Sequence, residues 1–467
     1  MFSPPVLFFL LILTLLLCLS LPFTCSSTHE GENHHQAQDL EAVRVNMDPV
    51  EKENLLGVME SMSSDRKWRV SNTNPCKPGA SWPGLECKLA PDNRLHVYRL
   101  DFGTPPNPVC KTTAKFPSQV FELPFLQSVF FFNCFTHAET TISIPAVIRT
   151  ATSLQQLSLR SNPALVGPIP PQITLLRSLE ILTLSQNRLR GRIPPEISTL
   201  TSLIHLDLSY NFLAGPIPKQ LGSLRSLVGL DLSYNALTGP MPDSLGLMGI
   251  LQKLDLSSNL LSGPIPNSLE NLSALVFLAL SSNRFQGFMP GGLPKLQNLQ
   301  YFIMDDNPMF IPLPSELGKL VKLQEIRLAS SGYFGVVPAS FSQLVNLTTL
   351  SLENNRLTGV IPARLNSLSR IYHLNLSRNM LVGVVPFDSG FLKRLGRNLD
   401  LSSNPGLCLN GSEVLESTKL GIGLCGNNNR IGSVLHPLKR SGAPSLFCNI
   451  VNFMFSVGIW GFYQNYL

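Results

Sequence analysis

Residues 154–170 read Leu154-Gln155-Gln156-Leu157-Ser158-Leu159-Arg160-Ser161-Asn162-Pro163-Ala164-Leu165-Val166-Gly167-Pro168-Ile169-Pro170. The frame is Leu-x-x-Leu-x-Leu-x-x-Asn, closed by Leu-x-Gly-x-Ile-Pro. Its asparagine position returns at Asn187, Asn211, Asn235, Asn259, Asn283, Asn307, Ser331, Asn355, Asn379 and Asn404. The spacing is 24 residues, except for 25 at the first and last steps. A degraded copy precedes them at Leu126, Val129, Phe131 and Cys134. Self-similarity at one fixed period marks a solenoid of stacked units, none of which can bury its apolar residues alone. We number the regular coils 1–11 from Asn162 to Asn404.

Each residue type has a physical task. Alternating Leu-x-Leu makes a short strand whose leucines face inward and whose neighbours face outward. Strands of successive coils then stack about 4.8 Å apart into one parallel sheet. Where the chain turns away from that strand, main-chain groups would be left without partners. A buried Asn offers both a donor and an acceptor, so a column of them forms a ladder. The glycine permits backbone that other residues resist, and Ile-Pro packs a rigid corner on the far side.

Outward from the repeats, the composition is mild. Only 14% of the 467 residues are charged, and the net charge of +6 is spread among both signs. That excludes the dense basic footprint of a nucleic-acid binder, so no nucleic-acid partner is expected. Val6 to Leu21 is almost wholly apolar and Thr24-Cys25-Ser26 offers small residues for cleavage, so residues 1–26 read as a secretion signal. Export means an oxidising compartment in which cysteines pair. Cys18 and Cys25 fall in or beside the signal and Cys448 in an apolar tail, which leaves six. Residues 27–47 are polar and expected to be disordered. Asp48-Pro49-x-Glu51 reads as a helix start with a capping box, followed by Leu55, Leu56, Met59 and Met62 at helical spacing. Cys110 and Cys134 are 24 residues apart, one coil, which predicts a disulfide between neighbouring coils.

The Leu-x-Gly-x-Ile-Pro half resembles the plant subclass of leucine-rich repeats found in receptor-like kinases and receptor-like proteins. That resemblance implies an α/β solenoid: a right-handed leucine-rich-repeat superhelix with a parallel concave sheet, capped at both ends by disulfide-bonded modules. Trp68, Asn74-Pro75-Cys76 and Ser81-Trp82-x-Gly84-x-x-Cys87 resemble the family's amino-terminal cap, which implies a Cys76–Cys87 bond. Asn404-Pro405-Gly406-Leu407-Cys408 with Cys425 resembles its carboxyl-terminal cap and implies Cys408–Cys425. The extra cysteine pair and the irregular 88–150 region further resemble the Piriformospora indica-insensitive group of receptor-like proteins. The expected organisation is a cap at 48–125, repeats at 126–404, a second cap at 405–430, a linker at 431–445 and an apolar tail at 446–467.

Catalysis is not expected. The sequence holds no kinase signature, metal-ligand cluster or nucleophile motif, and no cofactor or metal is expected. Gly421-x-Gly423-x-x-Gly426 matches a dinucleotide fingerprint only literally, without the strand and acidic partner it needs. Asp207, Asp231 and Asp255 form a carboxylate column, but Leu-Asp-Leu-Ser is the ordinary spelling of this repeat. His34-His35 falls in the polar segment and reads as neither ligand nor base. The tail allows three readings: a single membrane span, a lipid-anchor signal or an altered final exon. Membrane attachment through it is expected.

Two binding roles therefore stand. One is a cell-surface receptor-like protein that senses a peptide, glycan or protein ligand through a partner receptor-like kinase, in defence, symbiosis or development. The alternative is a soluble cell-wall inhibitor of a pathogen enzyme, of the polygalacturonase-inhibitor kind. Outward positions of the concave strands lie six, four and two residues before each ladder Asn, and in most coils they are small or consensus residues. Three neighbouring coils depart from that. Phe277, Tyr301, Ile303, Glu325 and Arg327 are the candidate ligand-binding patch, expected to be solvent-exposed, and Ser331 replaces Asn beside them. Asn-x-Ser/Thr occurs at Asn271, Asn346, Asn375 and Asn410, the candidate glycosylation sites; Asn375 is expected to point out of the concave sheet.

Overall fold

The computed structural model describes residues 47–426 apart from 72–73, 77–81, 147–152, 411–419 and 421. The expected secretion signal, nearly all of the polar segment, the linker and the apolar tail lie outside the described residues.

Helix α1 (Pro49–Met62) starts as its sequence dictates: the Asp48 carboxylate accepts from the amides of Val50 (2.9 Å) and Glu51 (3.2 Å), with Pro49 at the first position. Leu55, Leu56, Met59 and Met62 are buried beneath it. The capping box does not form as read. Glu51 turns into the interior, where it accepts from the Val97 amide at 2.8 Å and lies 2.5 Å from His96 Nδ1. Burial raises the Glu51 carboxyl above its ordinary range, against the pull of those two partners.

Strands β1 (Leu85–Leu89) and β2 (Leu95–Phe102) form an antiparallel hairpin. β2 then pairs in parallel with β3 (Ser128–Phe132), and one strand from each later coil extends a 14-stranded sheet. Its inward leucines form a continuous core: Leu157, Leu182, Leu206, Leu230, Leu254 and Leu278 are all fully buried. Such a row is what a parallel strand stack needs, since no single coil encloses its own leucines.

The ladder is explicit in coil 3. Asn211 Nδ2 donates to Leu184 O in the preceding coil (2.8 Å) and to Leu208 O in its own (3.1 Å), while Oδ1 accepts from Leu189 N (3.0 Å). The same triangle recurs at Asn235, Asn259, Asn283, Asn307, Asn355, Asn379 and Asn404; Asn187 differs in accepting from Asn162 N, and Asn162 closes the degraded coil through Cys134 N. The residue before each ladder position has φ between 52° and 59°, which turns the asparagine inward.

On the far flank the Leu-x-Gly segments build a second parallel sheet, and it is broken. Six strands end at Arg284–Phe285, and a separate five begin at Phe334–Val336. The break is coil 7, where Pro308-Met309-Phe310-Ile311-Pro312-Leu313-Pro314 replaces the Leu-x-Gly frame. Three prolines in seven residues remove the amides a ladder requires. The irregularity thus lies on this flank and not at Ser331, across which the concave sheet runs unbroken. Ser331 Oγ accepts from Asn307 N (3.2 Å) and donates to Ala329 O (2.9 Å), so the short side chain keeps part of the ladder.

All three cysteine pairs are bonded, with Cα separations of 5.6 Å (Cys76–Cys87), 5.0 Å (Cys110–Cys134) and 5.0 Å (Cys408–Cys425). The middle one does not join equivalent positions of two coils, however. Phe102 pairs with Phe131, five residues later than a 24-residue coil would place it. The extra residues form a proline-rich loop after β2, which carries Cys110 back to Cys134.

Candidate ligand-binding face

The candidate patch falls on three consecutive strands, Phe277–Ala279, Tyr301–Ile303 and Glu325–Arg327, paired in register. Alternation along each strand points these side chains outward, away from the buried Leu278, Phe302 and Ile326. They are half-buried rather than exposed. Strands about 4.8 Å apart press outward side chains against their neighbours, and long side chains cover one another. The Phe277 and Tyr301 rings meet at 6.0 Å between centroids, tilted by 42°. Tyr301 donates its hydroxyl to Gln324 Oε1 at 3.2 Å, and Gln324 donates to Gln300 Oε1 at 2.9 Å. Below them Arg327 Nε donates to Asp305 Oδ2 at 2.9 Å, with Glu325 4.0 Å from the same guanidinium. Burial raises both the Asp305 and Glu325 carboxyls, and Arg327 pulls each part of the way back. The result is an apolar strip bordered by an ion-paired cluster.

Sequence reasoning missed what adjoins the strip. Lys253 lies beside Phe277, its Nζ 5.8 Å from the ring centre, and donates to Asp231 Oδ2 at 2.8 Å. Burial works against the lysine's charge, but Asp231, Asp255 and Asp207 outweigh it and raise its pKa. Burial and the neighbouring Asp231 raise Asp207, and the same two causes push Asp255 up to about 6. His205 is lowered by burial and by Lys253. Gly229 leaves a notch between them: a Cβ there would stand 2.7 Å from His205 Nδ1. The aspartates had looked like repeat spelling alone. The signal was Lys253, a charge at an outward position directly beside the aromatic pair.

The sequons are spread around the coil. Asn271 is exposed at the end of a short 3₁₀ turn. Asn346 donates to Val321 O at 2.8 Å and accepts from Arg370 at 2.7 Å. Asn375 closes the strand His373–Asn375 on the concave sheet, with its Oδ1 accepting from Ser377. Asn410 is exposed just after the strand Gly406–Leu409. Among the described residues no group of three His, Cys, Asp or Glu could hold a metal, and no helix is long and apolar enough to cross a membrane.

The leucine-rich-repeat family model matches residues 177–237, 225–285 and 321–381. The described residues fold as a leucine-rich-repeat solenoid. The chain is 64% identical over 146 residues to Receptor like protein 29 of Arabidopsis thaliana, covering 31% of this chain and 32% of that one. It is also 33% identical over 177 residues to Piriformospora indica-insensitive protein 2 of the same plant, covering 37% and 40%. The leucine-rich-repeat chain thus spans about a third of the first relative's length and two fifths of the second's. Among solved structures it is similar to the Arabidopsis receptor kinase HAESA, crystallised with the peptide hormone IDA and the co-receptor SERK1. There the identity is 28% and the TM-score 0.63, over 78% of this chain and 58% of that one. A plant ice-binding protein shares 25% identity with a TM-score of 0.52, over 82% and 99%.

Proposed function

We propose that this leucine-rich-repeat chain is an extracellular receptor-like protein of the plant cell surface, holding a peptide or protein ligand on the concave strip of coils 5–8 and signalling through an associated receptor kinase. The observation that carries the reading is the strip itself: Phe277, Tyr301 and Ile303 side by side, bordered by the Asp305–Arg327–Glu325 cluster on one side and Lys253 on the other. An apolar anchor inside a polar rim is the usual anatomy of a binding hot spot. The likeness to a receptor kinase bound to a peptide hormone supports that class of ligand and partner. Attachment to the membrane through residues 446–467 belongs to the same proposal, and detergent partitioning of the full chain tests it. So does the glycan map: occupancy of Asn375 would screen the concave face beyond coil 9, and an unmodified Asn375 would leave it open.

The tagged full chain, used as bait on solubilised plant membranes, should recover a receptor kinase. The double variant Phe277→Ser with Tyr301→Ser should weaken that capture, or the binding of a co-purified ligand, by about 2 kcal/mol or more. Both side chains point away from the core, so the thermal transition should stay in place. Unchanged capture by the folded double variant discards this face. Recovery of wall-degrading enzymes alone points instead to the soluble inhibitor.

A further inference from the structure

The flank carrying the second sheet changes character half-way along the stack. Of the positions that face outward there, two lie three and five residues after each ladder position. In coils 2–5 they hold arginine, alanine, threonine, serine and proline. In coils 6–10 none of the ten is charged, and most are large and apolar. Val336, Val360 and Val384 occupy one position in consecutive coils and are 60%, 61% and 48% exposed. Each of the first two lies over the next coil's glycine: a Cβ on Gly359 would come within 2.9 Å of Val336, and one on Gly383 within 3.0 Å of Val360. Phe288, Phe310 and Phe334 continue the surface toward coil 6 at 82%, 54% and 43% exposure.

Strand propensity accounts for exposed valines, because β-branched side chains suit a pleated surface. It accounts for Phe334 in the same way, but not for Phe288 and Phe310. Phe288 lies outside any strand, and Phe310 adopts φ 47°, a conformation bulky residues rarely take. Its ring reaches out over Gly332, where a Cβ would come within 2.5 Å of it, and Arg356 sits 5.3 Å from its centre. The backbone is thus bent in a way that holds an aromatic ring in solvent.

We infer that this flank of coils 6–10 is an interface between two copies of the chain, joined about a two-fold axis. Three observations select a second copy. The six side chains expose roughly 600 Å² of apolar surface, at the upper end of what a monomer leaves open. With its rim this approaches the roughly 800 Å² per partner that a stable complex buries. A two-fold interface sets a surface against itself, which like charges would oppose; the positions that carry these valines and phenylalanines hold none, and the exposed Arg284 and Arg356 lie beside them. Finally, the valines repeat at the pitch of the coils, and a second copy presents the same pitch for interdigitation.

The test is sedimentation velocity of the purified full chain in mild detergent across a wide concentration range. The wild type should pass from monomer to dimer as concentration rises. Val336→Lys with Val360→Lys should move the midpoint at least tenfold toward higher concentration, with an unchanged thermal transition. Phe334→Lys should act alike. The Phe277→Ser with Tyr301→Ser variant, changed on the concave face, should dimerise like the wild type. This separates the inference from the ligand-binding proposal. A wild type that stays monomeric overturns self-association. If the same lysine variants then lose a captured receptor kinase, the flank belongs to a heterologous partner instead.

Discussion

At the scale of single residues, the carboxylate column of coils 3–5 has the clearest consequence in solution. Asp255 stands in a crowded strip, and burial followed by repulsion from Asp231 pushes its pKa up to about 6. Burial and Asp231 raise Asp207 in the same direction. A carboxyl whose folded pKa exceeds its unfolded value binds its proton more tightly when folded. Its contribution to stability is therefore complete below about pH 4 and is lost as pH rises to about 6. The side chain keeps some contact with solvent, so the effect should be about 1 kcal/mol rather than the full shift. Asp255→Asn preserves the acceptor that Ser257 N uses and removes the charge. Thermal melts between pH 4 and pH 7 should show the decline flattened in this variant. Parallel curves for variant and wild type would mean that the carboxyl is not the titrating group.

Among elements, the ladder separates what the sequence revealed from what it hid. The 24-residue period located every concave strand from Gln156–Arg160 onward, because inward leucines and inward asparagines each have one physical task. β2 escaped notice. Its Leu95-His96-Val97-Tyr98-Arg99-Leu100-Asp101-Phe102 lacks the Leu-x-Leu spelling, and the proline-rich loop after it spoils the period. The candidate face was half legible. Alternation gave the direction of Phe277 and Tyr301, but their mutual cover and the reach of Lys253 depend on lateral packing, which no single coil encodes. The ladder also gives a sharp expectation. Asn283 binds Leu256 O, Leu280 O and Leu261 N, all buried. Asn283→Ala leaves those groups without partners and should cost about 3 kcal/mol, measured by denaturant unfolding. A cost below about 0.5 kcal/mol would mean that water or backbone movement replaces the ladder.

At the scale of the whole molecule, a solenoid is held together by neighbours, and this sets how damage spreads. Each coil touches the one before and the one after, so stability is approximately a sum of coil terms and interface terms. The ends are the weak points, because a terminal coil has one neighbour and an open sheet edge. At the carboxyl end the cover is Cys408–Cys425, which closes a separation of 17 residues behind helix α2 (Ser389–Leu395) and pairs Gly423–Leu424 with the last strand of the second sheet. A loop of that length restricts the unfolded chain by about 3 kcal/mol, all of it spent on the final coils. Replacing both cysteines by serine should therefore fray coils 10 and 11 and leave coils 3–8 intact. Hydrogen exchange should show the amides near Leu376 and Leu401 losing protection while those near Leu206 and Leu254 keep theirs. The concave strip lies at coils 5–8, so binding there should survive. The apolar flank reaches coil 10 through Val384, so dimerisation should weaken in the same variant. Uniform loss of protection along the stack would show instead that the coils unfold as one unit, and that the cap stabilises the binding face directly.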